Sequence, residues 1–171
     1  DFSLVQPTSN SDGGFTYASS NTASATITGD TVTISHSGNV VITATQAATA
    51  NYNAGTISLI LTINKASQSI SVDPLPSTKP LKDFTTIPLT ASSSSGNTVG
   101  IVIDNSSAGT LSLTAGNYVL APVGQTGIIT LTFTVDATTR YNSATKTLSI
   151  DIVKTAQSIS YAPVLPTEVT Y

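Results

Sequence analysis

Apolar and polar residues alternate with period two along this chain, in short stretches separated by turn-forming residues. In the later half the alternating sets are Ile87, Leu89 and Ala91; Val99, Ile101 and Ile103; Ile129, Leu131, Phe133 and Val135; and Leu148, Ile150 and Ile152. Alternate side chains of a strand share one face, so each set is predicted to face a core. Shorter strands fit Gln68 to Val72, Thr110 to Leu113 and Asn117 to Ala121, with turns at Ser95-Gly96-Asn97 and Ala115-Gly116-Asn117. About seven short strands in this order predict an immunoglobulin-like sandwich. The earlier half shows the same order at Phe2 to Leu4, Phe15 to Tyr17, Ala25 to Ile27, Val32 to Ile34, Val40 to Ala44 and Ile57 to Ile63. It has no opening strand equivalent to Gln68 to Val72.

The two halves are copies of one another. Thr45-Gln46-Ala47-Ala48-Thr49-Ala50-Asn51-Tyr52-Asn53 returns as Thr134-Val135-Asp136-Ala137-Thr138-Thr139-Arg140-Tyr141-Asn142, at an offset of 141 − 52 = 89. The same offset relates Lys65-Ala66-Ser67-Gln68-Ser69-Ile70 to Lys154-Thr155-Ala156-Gln157-Ser158-Ile159. Val32-Thr33-Ile34 matches Tyr118-Val119-Leu120 at 118 − 32 = 86, which puts a three-residue insertion of the second copy in a loop around Gly124 to Gly127. The reading is all-β: tandem immunoglobulin-like β-sandwiches in an elongated arrangement. Residues 1–65 are a repeat without its first strand, 66–154 a complete repeat, and 155–171 the opening strand of a third, truncated repeat. Starting abruptly at Asp1-Phe2-Ser3-Leu4, the chain reads as a piece excised from a longer array. No Gly/Ser or Pro tract separates the copies, so the junction at Lys65-Ala66-Ser67 is expected to restrict bending. Pro74, Pro76 and Pro80 follow the opening strand and are expected in an edge or loop segment that blunts lateral strand pairing.

Composition narrows the setting. Only 9% of residues are charged, so solubility rests on Ser, Thr, Asn and Gly, a mixture that favours strands and turns. Aromatics at 6% predict thin cores. The net charge of −3 is spread without runs, which argues against nucleic acid and against an anionic membrane surface as partners. The absence of cysteine removes disulfides and thiolate metal sites. No apolar run is long enough for a membrane span, and no stretch reads as a signal peptide.

The run from Ile42 through Tyr52-Asn53-Ala54, closed by Lys65-Ala66-Ser67-Gln68-Ser69-Ile70, carries a resemblance, together with Ser19-Ser20-Asn21-Thr22-Ala23 and Ile27-Thr28-Gly29-Asp30-Thr31-Val32-Thr33-Ile34 ahead of it. It resembles the bacterial Ig-like tandem repeats of giant cell-surface adhesins, best matched in Bacteroidetes and including the gliding-motility adhesins of flavobacteria. The resemblance covers nearly all of the first copy and the later half of the second. From Pro80 to Thr126 the second copy departs from the family pattern. The resemblance implies a secreted, extracellular, outer-membrane-attached surface protein whose repeats are mostly structural.

Candidate chemistry is sparse. A Ser-His-Asp hydrolase needs a base beside its nucleophile, and the single histidine, His36, falls in a predicted turn, Ser35-His36-Ser37-Gly38, with no Gly-x-Ser-x-Gly elbow in the chain. No catalytic residue, no cofactor site and no metal site is assigned. Calcium needs six to eight oxygen ligands, whereas Asp12, Asp30, Asp73, Asp83, Asp104, Asp136 and Asp151 are scattered singly; only Asp73 with Asp83, meeting a neighbouring loop, offers a starting point. Tyr52 and Tyr141 recur at one repeat position, where packing over the sandwich end, with the hydroxyl bonding backbone, is favoured over sugar stacking. Lys65 and Lys154 recur at the junctions as solvated charges. Asn105-Ser106-Ser107 is an N-glycosylation sequon, and Asp30-Thr31-Val32 resembles a short O-glycosylation signal of Bacteroidetes.

The expected function is therefore that of a stalk or spacer repeat in a cell-surface adhesin, serving surface attachment or gliding motility, and not that of an enzyme. Its partners are the neighbouring repeats of the same chain. The alternative is a binding module whose loops, Ser92 to Asn97 and Pro122 to Gly127, contact a surface polysaccharide or another cell-surface protein.

Overall fold

The computed structural model describes residues 1–105, 107–160 and 168. The first copy forms β1 (Phe2–Ser3), β2 (Phe15–Ser19), β3 (Ala25–Thr28), β4 (Thr31–Ile34), β5 (Gly38–Gln46) and β6 (Gly55–Ile63). The second forms β7 (Ile70–Val72), β8 (Thr78–Pro80), β9 (Ile87–Leu89), β10 (Ala91–Ser93), β11 (Gly100–Asn105), β12 (Gly109–Thr114), β13 (Asn117–Pro122), β14 (Gly127–Val135) and β15 (Ala144–Val153). One 3-10 turn, Leu81–Asp83, is the helical piece among the described residues. The chain is all-β.

Two compact units emerge from the packing. The first gathers Asp1–Ser69 with Ser93–Thr98 and Val135–Ala144; the second gathers Ile70–Ser92, Val99–Thr134 and the chain from Thr145 onward. In the first unit the sheets run β1-β4-β3 and β2-β5-β6. Ala25 and Val32 of one sheet and Val40 of the other are fully buried against each other, with Leu4, Ile27, Ile42, Leu61 and Ile63 packed around them. Strand alternation produces this directly: Val40, Ile42, Ala44 and Gln46 all fall on the inward face of β5. The outer edge of β6 has no strand beside it among the described residues, and Leu59 there is 72% exposed.

In the second unit the sheets are β12-β13-β9, β10-β7 and β11-β14-β15-β8. Ile129, Leu131 and Phe133 of β14, Ile150 of β15 and Leu120 of β13 have no exposed surface. The duplication extends to register. Ala25 pairs with Ile34 and Thr28 with Thr31 in the first copy; 86 positions on, Leu111 pairs with Leu120 and Thr114 with Asn117. β1-β4-β3 corresponds to β9-β13-β12, and β2-β5-β6 to β11-β14-β15. The three additional residues of the second copy fall between Leu120 and Gly127, where β13 runs on to Pro122 before the turn.

Several elements differ from the sequence reading, each because of a partner elsewhere in the chain. The strand predicted from Gln68 begins at Ile70, because Gln68 turns its amide to loop carbonyls. The set Ile87, Leu89 and Ala91 is interrupted at Thr90: β9 pairs with β13, β10 pairs with β7, and between them the Thr90 carbonyl accepts from Asp73 N (3.1 Å). Pro80 ends β8, which lies parallel on the edge of β15 with Asp151 opposite Thr78 and Val153 opposite Pro80. A proline at a sheet edge is the arrangement its missing N–H allows. Of the opening strand expected for a third repeat, Gln157 to Ser160 have no regular structure, and Tyr161 to Pro166 lie outside the described residues.

Two turn positions generate predictions. The β12–β13 hairpin turns on Ala115 and Gly116, with φ of +50° and +80°. Both central residues of such a turn need positive φ, and an alanine there strains against its own Cβ. Ala115→Gly should raise stability by about 1 kcal/mol, read as a higher denaturant midpoint at unchanged m-value. Gly109 on β12 has no room for a side chain: an added Cβ would sit 2.7 Å from Ile129 Cδ1 and 3.2 Å from the Ala121 carbonyl. Gly109→Val should destabilise by roughly 1–3 kcal/mol in the same measurement, because the second sandwich is already filled at that point.

Candidate functional site

Among the described residues, recurring polar residues converge at the connector between β6 and β7, within the first unit. Ala66 N donates to the Arg140 carbonyl (2.8 Å), and Asn142 N donates to the Ala66 carbonyl (2.9 Å), so that Ala66 and Tyr141 form a parallel bridge. Asn142 Nδ2 also reaches the Lys65 carbonyl (3.4 Å). Gln68 completes the attachment: its Nε2 donates to the carbonyls of Asp136 (3.0 Å) and Asn142, while its Oε1 accepts from the Ser95 hydroxyl. A primary amide has two donor hydrogens and an accepting oxygen, and here all are engaged.

The loop that receives the connector is itself closed by hydrogen bonds. Thr138 N donates to the Tyr141 carbonyl (2.9 Å), and Thr138 Oγ1 accepts from the N–H groups of Tyr141 (3.1 Å) and Arg140 (3.2 Å). The first copy repeats the first of these bonds, from Thr49 N to the Tyr52 carbonyl (2.9 Å). Thus the duplicated Thr-x-x-Tyr-Asn run encodes a loop shape. On its other side the loop meets the turn Ser35 to Ser37. Ser37 donates to the Thr139 carbonyl through both its N–H (3.0 Å) and its hydroxyl (2.7 Å), and Arg140 Nε donates to the Ser35 carbonyl (2.8 Å).

His36 lies in that turn, half-buried, with Nδ1 2.7 Å from the Ala23 carbonyl. A carbonyl can only accept, so the bond requires a proton on Nδ1. The neighbouring Ser37 hydroxyl proton is committed to Thr139, and His36 has no hydrogen bond to a serine, threonine or carboxylate among the described residues. Ile34, His36, Ile63, Asn64, Ala66 and Arg140 line a shallow groove here.

The other sequence candidates fall elsewhere. Tyr52 is 42% exposed, and neither it nor the half-buried Tyr141 has a hydroxyl hydrogen bond among the described residues. The expectation that these hydroxyls bond backbone is corrected: the main-chain carbonyls of the two tyrosines close the loops, because the threonine N–H points at them. Among the described residues no three acidic or histidine side chains come together. Asp83 pairs with its neighbour Lys82 (2.8 Å) at the surface, and Asp73 contributes its backbone N–H to Thr90. Lys65 and Lys154 are exposed. Asn105 Oδ1 accepts from Ser107 N (3.1 Å); Ser106 of the sequon lies outside the described residues. Thr31 is exposed beside Asp30, to which its hydroxyl donates (3.3 Å). The turn Ser92 to Asn97 is held internally, by Ser93 Oγ to the Asn97 carbonyl (2.7 Å) and by Ser95 to Gln68. Val123, in the other proposed contact loop, is exposed.

One polar latch of the same kind escaped the sequence reading. Gln46 is buried at the end of β5, where its Nε2 donates to the carbonyls of Ser11 (3.1 Å) and Gly13 (2.9 Å) and its Oε1 accepts from Ser9 Oγ (2.6 Å). The signal was available: Gln46 breaks the apolar alternation of Val40, Ile42 and Ala44, at a position the second copy fills with Val135.

No family model and no curated protein sequence matches the chain. Solved structures do. Domains 4 and 5 of the S-layer protein SbsC are 18% identical over 81% of this chain and 70% of that one, with a TM-score of 0.36. A longer SbsC chain, residues 31–844, is 17% identical over 86% of this chain and 21% of that one, at 0.38. SbsC domains 4–9 are 17% identical over 92% of this chain and 24% of that one, at 0.37.

Because Gln68 satisfies two loop carbonyls at once, Gln68→Ala should cost about 1–3 kcal/mol of stability. Hydrogen exchange should show the accompanying loss of protection at the N–H groups of Ala66 and Asn142, while the core strand β14 stays protected.

Proposed function

We propose that this chain is a spacer from a secreted bacterial cell-surface adhesin, built from immunoglobulin-like sandwiches, whose work is to set distance and limit bending between more distal parts. The observation that carries the reading is the duplication of strand order and register between the two copies, since a module copied with its pairing intact is a unit for repetition. The immunoglobulin-like assignment is supported by the second copy. There β7, then β10 with β9, then β13 and β12 follow one another, against β11-β14-β15 in the other sheet, the order of an ABED and CFG sandwich.

Length follows from the strands. β5, β6 and β14 have nine residues and β15 has ten, and a strand of that length rises about 30 Å. The connector has its carbonyls and amides taken up by the loop Asp136 to Asn142 and by Gln68, all within the first unit. The same reading makes the chain a non-enzyme. It is supported by the Ser37 hydroxyl beside His36, which donates to the Thr139 carbonyl and not to the imidazole. It also leaves ligand recognition to other parts of the protein, since the hydroxyls of Ser93 and Ser95 are used internally.

The test is a length series. Chains carrying one, two and four tandem copies of residues 66–154 should lengthen by a constant increment per copy in small-angle scattering. Gln68→Ala copies should keep their fold and show a broader distribution of end-to-end distances. A single copy that bound cell-surface polysaccharide as tightly as the four-copy chain would overturn the spacer reading in favour of a binding module.

A further inference from the structure

The turn between β4 and β5 is anchored within the first copy. Ser35 N (2.8 Å) and His36 N (3.3 Å) both donate to the carbonyl of the buried Ser24, and His36 Nδ1 lies 2.7 Å from the Ala23 carbonyl. Ser37 then leads directly into Gly38, the first residue of the central strand β5. The loop after β14, the central strand of the second copy, is also closed on itself, through the bonds of Thr138 to Tyr141 and Arg140. That loop belongs to the first unit, although β14 up to Thr134 and β15 from Thr145 belong to the second.

Among the described residues, three hydrogen bonds join residues 1–64 to residues beyond Lys65, and all three are made between this turn and this loop. Ser37 donates two of them, from its N–H and its hydroxyl, to the Thr139 carbonyl. Arg140 Nε donates the third, to the Ser35 carbonyl. The loop does not need the arginine for its own shape. The counterpart of Arg140 in the first copy is Asn51 (140 − 89 = 51), and there Thr49 N still closes on the Tyr52 carbonyl. Nor does the repeat dictate the turn, since Ser35-His36-Ser37, between Ile34 and Gly38, corresponds to the longer run Ala121 to Thr126, between Leu120 and Gly127. The contact is therefore made by features that the repeat pattern does not require.

Two pieces that are already formed lose little conformational freedom when they join, so a few bonds suffice to hold them. Through them the start of β5 is tied to the loop that ends β14. We propose that Ser37 and Arg140 make the two copies one cooperative folding unit, in which neither central strand opens without the other. Tandem copies couple in this way when the stability of each includes a contribution from the contact with its neighbour. Such coupling does not depend on where the protein works, and the length series does not test it.

The experiment is hydrogen exchange of the full 171-residue protein in rising urea, read by mass spectrometry on separate peptides from β5 and β14. In the wild type both strands should lose protection at one urea midpoint. The double variant Ser37→Ala, Arg140→Asn removes the hydroxyl and the guanidinium while giving the loop the residue that the first copy carries. It should stay folded, keep the amides of the loop Asp136 to Asn142 protected, and show separate midpoints for β5 and β14. Ser37→Ala alone, which retains the N–H bond and the arginine, should give a smaller separation. Wild-type midpoints that already differ would overturn the proposal. Variant midpoints that move together would overturn it too, because uniform destabilisation leaves the copies coupled.

Discussion

Each copy depends on one long central strand held in register on both sides. β5 pairs along its whole length with β6, from Gly38 opposite Ile63 to Gln46 opposite Gly55, and along its later part with β2. Because side chains alternate faces, this register decides which residues form the core: Val40, Ile42 and Ala44 in the first copy, Ile129, Leu131, Phe133 and Val135 of β14 in the second. A slip of one residue would turn all of them outward and bring threonines in. In a chain with few aromatics and few charges there is little else to define the fold, so ladder register and the thin apolar stripe it creates must do so together.

Polar side chains do the remaining work, by satisfying backbone groups where ladders end. Gln46 bonds the segment Ser9 to Gly13 to the end of β5, and Gln68 bonds the connector to the loop after β14. In both cases a single amide reaches two carbonyls, which stand in a loop with no ladder partner and would otherwise face water or remain unpaired. Gly13 belongs to the same arrangement: a Cβ there would lie 2.3 Å from the Ala47 carbonyl, so the chain passes too close for any side chain. Uncharged latches of this kind suit a protein whose surface is hydroxyl and amide, and their strength should depend little on salt.

The strands were legible in the sequence because a half-buried strand writes its two faces as alternation. The sets built on Ile129 to Val135 and Leu148 to Ile152 appear in the structure as β14 and β15, with Ile129, Leu131, Phe133, Ile150 and Ile152 buried. Where the reading missed, a tertiary partner was the cause. Ile87, Leu89 and Ala91 alternate without a break, yet the chain changes partner at Thr90, and no local pattern announces which strand lies alongside. β8 falls in the segment read as edge or loop, and the edge that β15 offers makes it a strand. The tyrosines announced the loop correctly but not the atoms that close it, since a main-chain carbonyl carries no residue identity.

By itself, then, the sequence determined the all-β class, the duplication and the positions of the central strands, because periodicity and self-similarity are properties of the residue order. It also placed the recurring Thr-x-x-Tyr-Asn run, which the fold uses as a loop, and the first Gln-Ser-Ile segment, at whose Ile70 the strand β7 begins. The tertiary structure alone decided which polar side chains become latches, which of two identical-looking strand edges is covered, and which leucines are left exposed. Ile57 and Leu59 carry the inward alternation of any core strand, and only the absence of a neighbouring strand among the described residues makes them a surface. Burial is a relation between segments far apart in the chain, and a residue's own identity states a preference for it without supplying the partner.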